Sequence, residues 1–487
     1  MKRTLLAWTA AGVSSLLAGQ AAASGILVAR FGGEHGHPTT DNPTAMYYNP
    51  AGLALGFGTR LYLDGNFAWR SFVYTRDPNA IDNTQDPGFQ GAYTPSGDGV
   101  AANSGESKLF NILASPFAAV VTDFGVKGLG VGLGFYVPFG GQSTWDTVDA
   151  GPTTNGGAAK YPGAEDGPQR WWVIEGTLRS LYVTGAAAYE IPDLNLSFGL
   201  GVNLVMSEIN TIRARNPEGN DNLVVGTPNG DQIKEGRTLV DVSSNDLSLA
   251  LGVIWRPNDD WWVGVSYQSQ PGFGENTLKG KAEVVTGAAD AKGDKLPAEI
   301  TQAMPDVIRA GVRWRPTHED EIRLFGTYAR WSVLKEQCVL NTDAPNHSCA
   351  TGVGSLGIIP RYWEDAIEVR AGYSRWLTPG VELFGGAGFD QTAIPDTTLE
   401  PSLFDANKAS FSVGARFELL EKSLAVATSY TQVIYFAPDI APRGKASGAT
   451  ESDIASIGIR NEARTPDSAG TYDQKIGFLN LNVQYTF

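Results

Sequence analysis

The side chains most able to do chemistry are scarce in this chain of 487 residues, which has four histidines and two cysteines. Two histidines lie together in Glu34-His35-Gly36-His37, with Asp41 nearby, and these are metal-ligand types. The run is short and matches no zinc spacing, so we interpret it as a polar loop and predict no metal site. The sequence has no Gly-x-Ser-x-Gly elbow, and no phosphate loop or dinucleotide fingerprint in strand-to-helix context. We therefore predict no catalytic residue, no cofactor and no enzyme.

Residues 1–23 have the pattern of a signal peptide. Lys2 and Arg3 form a basic start, residues 5–17 are mostly apolar, and Ala21-Ala22-Ala23 supplies small residues for cleavage. A transmembrane helix is the alternative, but it needs about 20 mainly apolar residues, and Ser, Gly and Gln interrupt this run. We predict export, with a mature chain beginning at Ser24.

Cys338 and Cys349 are separated by a polar stretch. In an exported chain we expect them to form a disulfide that fixes one loop, worth roughly 3 kcal/mol. Two thiols with His347 nearby fall short of a four-ligand zinc site.

The overall charge restricts the class of partner. The formal net charge is −15 and the sequence pI is near 4.8, which argues against nucleic acid as a partner. No segment after the signal peptide has the composition of a spanning helix, so a membrane location would require a closed β-barrel.

Apolar and polar residues alternate with a period of two in many segments, as in strands with one apolar and one wet face. In the last segment, Leu479, Leu481, Val483 and Tyr485 alternate with Asn480, Asn482 and Gln484. Around residues 128–139, large residues such as Leu129, Val131 and Leu133 alternate with glycine. In other alternating segments the polar face carries charges, such as Glu368 and Arg370, which excludes parallel strands buried on both faces.

Short and long connections also alternate, which is typical of outer-membrane barrels with short periplasmic turns. We predict fourteen antiparallel strands, from near Thr59 to Phe487. The long polar stretches read as loops, at roughly 76–106, 142–170, 216–241, 275–299, 335–359, 397–406 and 437–470. Aromatics near strand ends predict interfacial girdles: Trp69, Trp171, Trp172, Trp261, Trp262, Trp314, Trp331, Trp363 and Trp376. A soluble β-sandwich is the alternative, but it does not explain the repeated asymmetry of the connections.

Residues 24–57 differ from the strands because they are rich in Gly, Pro and Asn. We predict three parts: a signal peptide at 1–23, a hatch at 24–57 that plugs the lumen, and a transmembrane barrel at 58–487. Asn49-Pro50-Ala51-Gly52, taken alone, is a turn signal.

The stretch from Gly25 to Ala54, which contains Asp41-Asn-Pro-Thr-Ala-Met-Tyr-Tyr-Asn-Pro-Ala-Gly, resembles the hatch of the FadL family of outer-membrane transporters. Three further blocks are similar: Tyr136–Gly140, Met304–Gly311 and Gly388–Asp396, in strands 3, 8 and 11. The resemblance implies a plugged fourteen-stranded barrel for long-chain fatty acids or other hydrophobic compounds. It also implies hatch residues Ser24, Gly25, Asn49, Pro50 and Ala51 as a gate, and release through a kinked third strand.

Pro138, Phe139, Gly140 and Gly141 follow the apolar run of strand 3. Proline removes a ladder donor and glycine weakens pairing, so the strand either ends or opens here. The residues leave both interpretations open, and the resemblance favours a lateral opening.

Charged residues on the inner parity of the strands are evenly divided between acids and bases: Asp64, Arg70, Glu190, Arg256, Arg309, Arg313, Glu368, Arg370, Glu382, Asp390, Arg416 and Glu418. We favour a paired network on the wall. The functional hypothesis is that Arg309 or Arg370 binds a ligand carboxylate through its guanidinium fork.

We predict a monomer in the cell outer membrane that takes up a hydrophobic, fatty acid-like ligand. Its other expected partners are outer-membrane lipid, lipopolysaccharide and the barrel assembly machinery. The alternatives are a general porin for polar solutes and a surface adhesin or structural barrel.

Overall fold

The computed structural model describes residues 30–81, 97–148, 161–215, 221, 223–227, 230–233, 235–285, 293–442 and 466–487. Fourteen antiparallel strands form a closed barrel, as the sequence predicts. Each strand pairs with its neighbours in the chain, and strand 1 pairs with strand 14 from Arg60 opposite Thr486 to Arg76 opposite Gly470. This last ladder closes the wall, so the barrel has no free edge there.

The strands fall into three groups. Strands 1 to 6 are Arg60–Arg76, Gly105–Thr122, Leu129–Thr144, Glu175–Ile191, Leu196–Arg215 and Gly236–Asn258. Strands 11 to 14 are Val381–Asp390, Lys408–Leu419, Leu424–Tyr435 and Gly470–Thr486. Strands 7 to 10 are each split into two segments: Trp261–Gln268 and Glu275–Val285, Asp294–Ala303 and Val307–Trp314, Asp320–Ala329 and Glu336–Asn341, and Ser355–Pro360 and Ala366–Thr378.

The remaining elements are short. Helical turns are Gly33–His35, Ala45–Tyr48, Pro50–Leu55, Pro78–Ala80, Gly97–Asn103, Pro162–Asp166, Pro168–Trp171, Pro192–Leu194, Pro271–Phe273, Trp331–Val333 and Leu420–Lys422. A hairpin joins Val224–Thr227 to Gly230–Ile233, and Asp439–Ile440 pairs with strand 14. None of the described helices has the length and apolar character needed to span a membrane.

The period of two separates the two faces of the wall. In strand 1, Leu63 and Phe67 point outward and are exposed, whereas Asp64 and Asn66 are buried inside. The predicted inner charges follow this rule, and several pair as expected: Arg370 with Glu368, Arg256 with Glu190, and Arg416 with Glu418. An apolar outer face and a paired polar inner face suit a barrel surrounded by lipid.

Three of the stretches that read as loops contain paired strand segments of the outer wall or a hairpin, and a fourth contains the short strand Asp439–Ile440. The outer segments of strands 7 and 8 pair with each other, those of strands 9 and 10 form a hairpin, and residues 224–233 form another. The outer segments of strands 7 and 8 have one charged face and one buried apolar face, which includes Leu278 and Ile300. The barrel wall therefore continues outward as hairpins.

The aromatic girdle is smaller than the sequence predicts. Trp69, Trp261 and Trp314 are exposed on the outer face, but others are buried: Trp171, Trp172, Trp262, Trp331 and Trp363. Trp262 follows Trp261 and so takes the opposite face. Trp331 and Trp363 lie between strand segments, where alternation does not determine their direction.

Residues 30–54 pack inside the barrel, and wall glycines leave the space for them. A Cβ added at Gly199 would lie 2.1 Å from Ala51 N, and one at Gly130 would lie 2.3 Å from Leu53 O. At Gly252 an added Cβ would meet Asn49 Oδ1 at 1.9 Å. Inward-facing glycines of the wall thus allow close approach of this segment.

Replacing Gly252 with Val should displace residues 49–55 from the wall, because overpacking costs about 1–3 kcal/mol. We expect a barrel that still assembles, judged by heat-modifiable gel mobility, but that shows larger steps of ion conductance in planar bilayers. The matched control is Gly185→Val, where an added Cβ meets no heavy atom within 4 Å. Equal conductance in both variants would contradict the close fit.

Candidate functional site

Polar contacts fix residues 30–57 to many strands. Asn49 Nδ2 donates to Pro38 O at 2.8 Å and to Val253 O at 3.1 Å, so it joins two parts of the segment to strand 6. His35 Nε2 lies 2.9 Å from Glu382 Oε1 of strand 11. Pro50 and Ala51 begin the turn that packs under strands 4 to 6. The inner end of the lumen is thereby filled.

Some of the predicted hatch lies beyond what can be described. The signal peptide, Ser24 and Gly25 are outside the described residues. The boundaries at 23/24 and 57/58, and the gating roles of Asn49, Pro50 and Ala51, stay predictions.

The histidines of the segment have nearby partners. His37 Nδ1 lies 2.9 Å from Thr39 Oγ1, and His35 packs edge-on against Phe384. Within the described residues, no group of three or more His, Cys, Asp or Glu side chains is placed to hold a metal ion.

Strands 2 and 3 separate above their inner ends. Their ladder runs from Thr122 opposite Val131 to Phe117 opposite Tyr136 and then stops, although both strands continue outward. Strand 3 bulges between Tyr136 and Phe139 but resumes pairing with strand 4. Pro138 lies inside this bulge, where its missing N–H costs no ladder hydrogen bond. The result is a gap in the wall on the strand 2 side.

Side chains and one backbone bond bridge the gap. Ser115 Oγ donates to Val137 O at 2.9 Å, and Asn111 Nδ2 donates to Gln142 O at 2.8 Å. Further out, Asp146 N donates to Lys108 O at 2.8 Å. A Cβ added at Gly141 would meet no atom within 4 Å. Asn111 Oδ1 has no hydrogen-bond partner among the described residues, and open space lies beside Gly141.

A cavity of about 120 Å³ lies against this gap in the outer half of the barrel. Its lining includes Gly140 and Gly141 from strand 3, and Trp172 and Leu178 before and within strand 4. Across the lumen it is lined by the outer segments of strands 8 to 10 and by Phe404. Most of this lining is apolar, which suits a hydrophobic ligand.

A cluster of aromatic side chains includes close sequence neighbours of the cavity lining, since Phe139 precedes Gly140 and Trp363 follows Arg361 by two residues. Phe139 packs against Tyr182 and, with ring centroids 6.4 Å apart, against Trp331. Trp331 in turn contacts Trp363 edge-on at 4.8 Å. All four side chains are buried. We call Phe139, Tyr182, Trp331 and Trp363 the aromatic floor.

The two predicted carboxylate-binding arginines lie near a second, smaller space bordered by Tyr47 and Tyr48. Arg370 pairs with Glu368. Arg309 donates to Gln268 Oε1 at 3.3 Å and lies over the Tyr47 ring, with its Cζ 4.3 Å from the centroid. Both guanidinium groups already have partners within the barrel.

The chain before strand 4 supplies Trp172 and Val173 to the cavity lining and is held by ion pairs. Arg170 is fully buried, and its Nε donates to Glu235 Oε1 at 2.9 Å. Arg237 Nη1 approaches the same oxygen at 2.7 Å. Burial raises the pKa of Glu235, but the two guanidinium groups outweigh it and hold that pKa below its usual range. This ion-pair network orders the segment that precedes Trp172.

The disulfide between Cys338 and Cys349 is present, as predicted, with Cα atoms 5.9 Å apart. It fixes the hairpin formed by the outer segments of strands 9 and 10. Gln337 and Val339, the neighbours of Cys338, line the cavity. The disulfide thus braces a cavity wall.

Sequence reasoning missed Arg213, which lines the cavity from strand 5. The alternation that places Ser197, Asn203 and Ser207 inside continues to Arg213, so the signal was available. The aromatic floor had no such signal, because Trp331 and Trp363 lie where strands are interrupted.

Replacing both cysteines with serine should loosen the hairpin, lowering its local stability by about 3 kcal/mol, while the barrel assembles normally. Limited proteolysis checks this: cleavage within residues 342–354 should become faster. A reductant should have the same effect on the wild type and none on the variant. Equal cleavage rates in both proteins would show that the disulfide does not hold the hairpin.

Comparison with known proteins identifies relatives of the whole chain. Residues 5–464 match the family model described as outer membrane protein transport protein (OMPP1/FadL/TodX). A comparison with curated protein sequences returns no match.

Among solved structures, a Pseudomonas aeruginosa FadL homologue has a TM-score of 0.69 and 16% identity over 97% of this chain and 99% of its own. The Ralstonia pickettii toluene transporter TbuX has a TM-score of 0.58 and 17% identity, over 95% of this chain and 98% of its own. The P. putida toluene transporter TodX has a TM-score of 0.57 and 13% identity, over 92% of this chain and 94% of its own. At these low identities the solved structures show a shared fold. The family model, which matches residues 5–464, shows the family. The chain therefore belongs to the OMPP1/FadL/TodX family of outer-membrane channels that transport hydrophobic compounds.

Proposed function

We propose that this protein takes up hydrophobic small molecules, long-chain fatty acids among the candidates, and releases them sideways between strands 2 and 3. One observation carries the proposal: the ladder between these strands ends at Phe117 and Tyr136, and the outer cavity reaches Gly140 and Gly141 at the same place. A compound in the cavity would lie next to an opening in the wall.

The surroundings of the gap favour an apolar passenger. Phe110 and Ile112 of strand 2 are 61% and 67% exposed on the outer face, where lipid surrounds the barrel. A hydrophobic compound that moves from the cavity to lipid exchanges one apolar environment for another and avoids the free-energy cost of transfer to water.

The packed inner lumen supports a lateral route over an axial one. Leu53, Asn49 and Ala51 contact wall glycines closely, so a solute moving along the axis would have to displace them. In this proposal residues 24–57 act as a hatch that closes the barrel to ions and polar solutes. A lateral route leaves that closure intact.

Arg309 and Arg370 remain proposed contacts for a ligand carboxylate that reaches the space beside Tyr47 and Tyr48. Such a ligand would compete with Glu368 for Arg370 and with the Tyr47 ring for Arg309. The monomeric state, lipopolysaccharide and the barrel assembly machinery likewise stay predictions. A general porin would need an open lumen, and an adhesin would not need the hatch.

Substitution of Gly140 and Gly141 by Val should close the lateral route, because side chains would fill the open space beside the gap. We expect uptake of a radiolabelled hydrophobic compound by whole cells to fall at least tenfold, with normal barrel assembly. The control is Gly185→Val, an outward-facing site on strand 4. Uptake at the wild-type rate in the double variant would defeat lateral release.

A further inference from the structure

We propose that the outer cavity selects a compact hydrophobic anion, such as a single-ring aromatic carboxylate, over a long-chain fatty acid, and that Arg213 is its anchor. The inference rests on the proposed function and specifies its ligand. It follows from the charge, the partners and the size of the cavity.

The cavity lining is basic in a protein that is acidic overall. Three guanidinium groups line it, those of Arg70, Arg213 and Arg361, with Glu400 as the single carboxylate in the described lining. The whole chain has a formal charge of −15. The excess of positive charge is therefore a local property of this cavity, and it favours an anion.

Glu400 is already engaged by one of the three arginines. Arg361 Nη1 lies 2.7 Å from Glu400 Oε1, and Arg361 Nε donates to Gln337 Oε1 at 2.8 Å. Ser402 also bonds Glu400. This pair is neutral, so the uncompensated charge belongs to Arg70 and Arg213.

Arg70 is held by neutral groups. Its Nε donates to Gln474 Oε1 at 2.6 Å, and its Nη1 approaches Gln142 O at 3.5 Å. Its Cζ lies 5.2 Å from the centroid of the Phe72 ring. These contacts orient the side chain at the edge of the gap without neutralising it.

Arg213 makes neither a hydrogen bond nor an ion pair within the described residues. Its Nη2 lies 2.7 Å from the position that a Cβ would take at Gly357, so the missing side chain there leaves room for the guanidinium. A charged group with no partner in an apolar cavity is costly. A ligand carboxylate would relieve this cost through two parallel hydrogen bonds.

The cavity size limits the apolar part of the ligand. Its volume of about 120 Å³ is close to that of the engineered cavity, about 150 Å³, that binds benzene. Phe139 of the aromatic floor precedes Gly140 of the cavity lining, and ring contacts connect Phe139 through Tyr182 and Tyr136 to Tyr47 at the second space. A long acyl chain exceeds this volume, whereas one aromatic ring fits within it.

The test measures binding of benzoate, benzyl alcohol and laurate to the full-length protein in nanodiscs by titration calorimetry. Benzoate should bind at least tenfold more tightly than either benzyl alcohol, which lacks the charge, or laurate, which lacks the compact shape. Arg213→Gln should lower the affinity for benzoate at least tenfold and leave the affinity for benzyl alcohol unchanged. Arg213→Lys keeps the charge but loses the guanidinium fork, so its affinity for benzoate should lie between those of the wild type and Arg213→Gln.

Two further variants complete the design. Arg179→Gln changes an arginine of strand 4 that pairs with Glu208 near the cavity without lining it, and should bind benzoate as the wild type does. Trp331→Ala should raise laurate affinity by lowering the floor. Laurate binding to the wild type as tightly as benzoate, or unchanged benzoate binding in Arg213→Gln, would overturn the inference and leave the proposed function standing. Failure of all three compounds to bind would overturn both.

Discussion

Backbone hydrogen bonding inside the membrane governs this structure. Lipid offers no partner for an open N–H or C=O group, so every strand must pair along its membrane-spanning length. Strands 2 and 3 depart from this rule above Tyr136, where their ladder stops. Ser115, Asn111 and the backbone of Asp146 bond strand 2 to strand 3 or the chain just beyond it. These bonds pair some of the polar groups along the gap, which lowers the cost of opening the wall to lipid.

Close packing explains the glycines on the inner face of the wall. Residues 30–57 must lie against the wall closely enough to exclude solvent, and any Cβ at Gly130, Gly199 or Gly252 would prevent this. Alternation of large outer residues with inner glycine therefore serves two environments, lipid on one side and a packed segment on the other. The arginines split in a comparable way. Arg370 has Glu368 as its partner, whereas Arg213 lines the outer cavity and makes no hydrogen bond or ion pair within the described part of the chain.

The sequence predicted the parts of the fold that depend on periodicity. Inner and outer faces follow from the alternation of Leu63 with Asp64, and the strand count follows from repeated short turns. It did not reveal that strands 7 to 10 extend as outer hairpins, because these short segments carry many charged residues, such as Lys279 and Lys281, on the face opposite the buried Leu278 and Ala282. Pro138 located the bulge, but whether strand 2 stays paired there depends on contacts distant in sequence. Trp331 was predicted to be an interfacial residue. It points inward because it lies in the turn between the two segments of strand 9, where the alternation of strand residues does not apply.

In the proposed route the ligand never passes the packed inner segment. The most direct test is an experimental structure of the protein in a lipid nanodisc with a bound hydrophobic ligand. The account predicts ligand density in the outer cavity above Phe139, continuing toward Gly141 between strands 2 and 3, with residues 30–57 in place. Ligand density along the barrel axis beside a displaced Asn49, with strands 2 and 3 paired throughout, would contradict it.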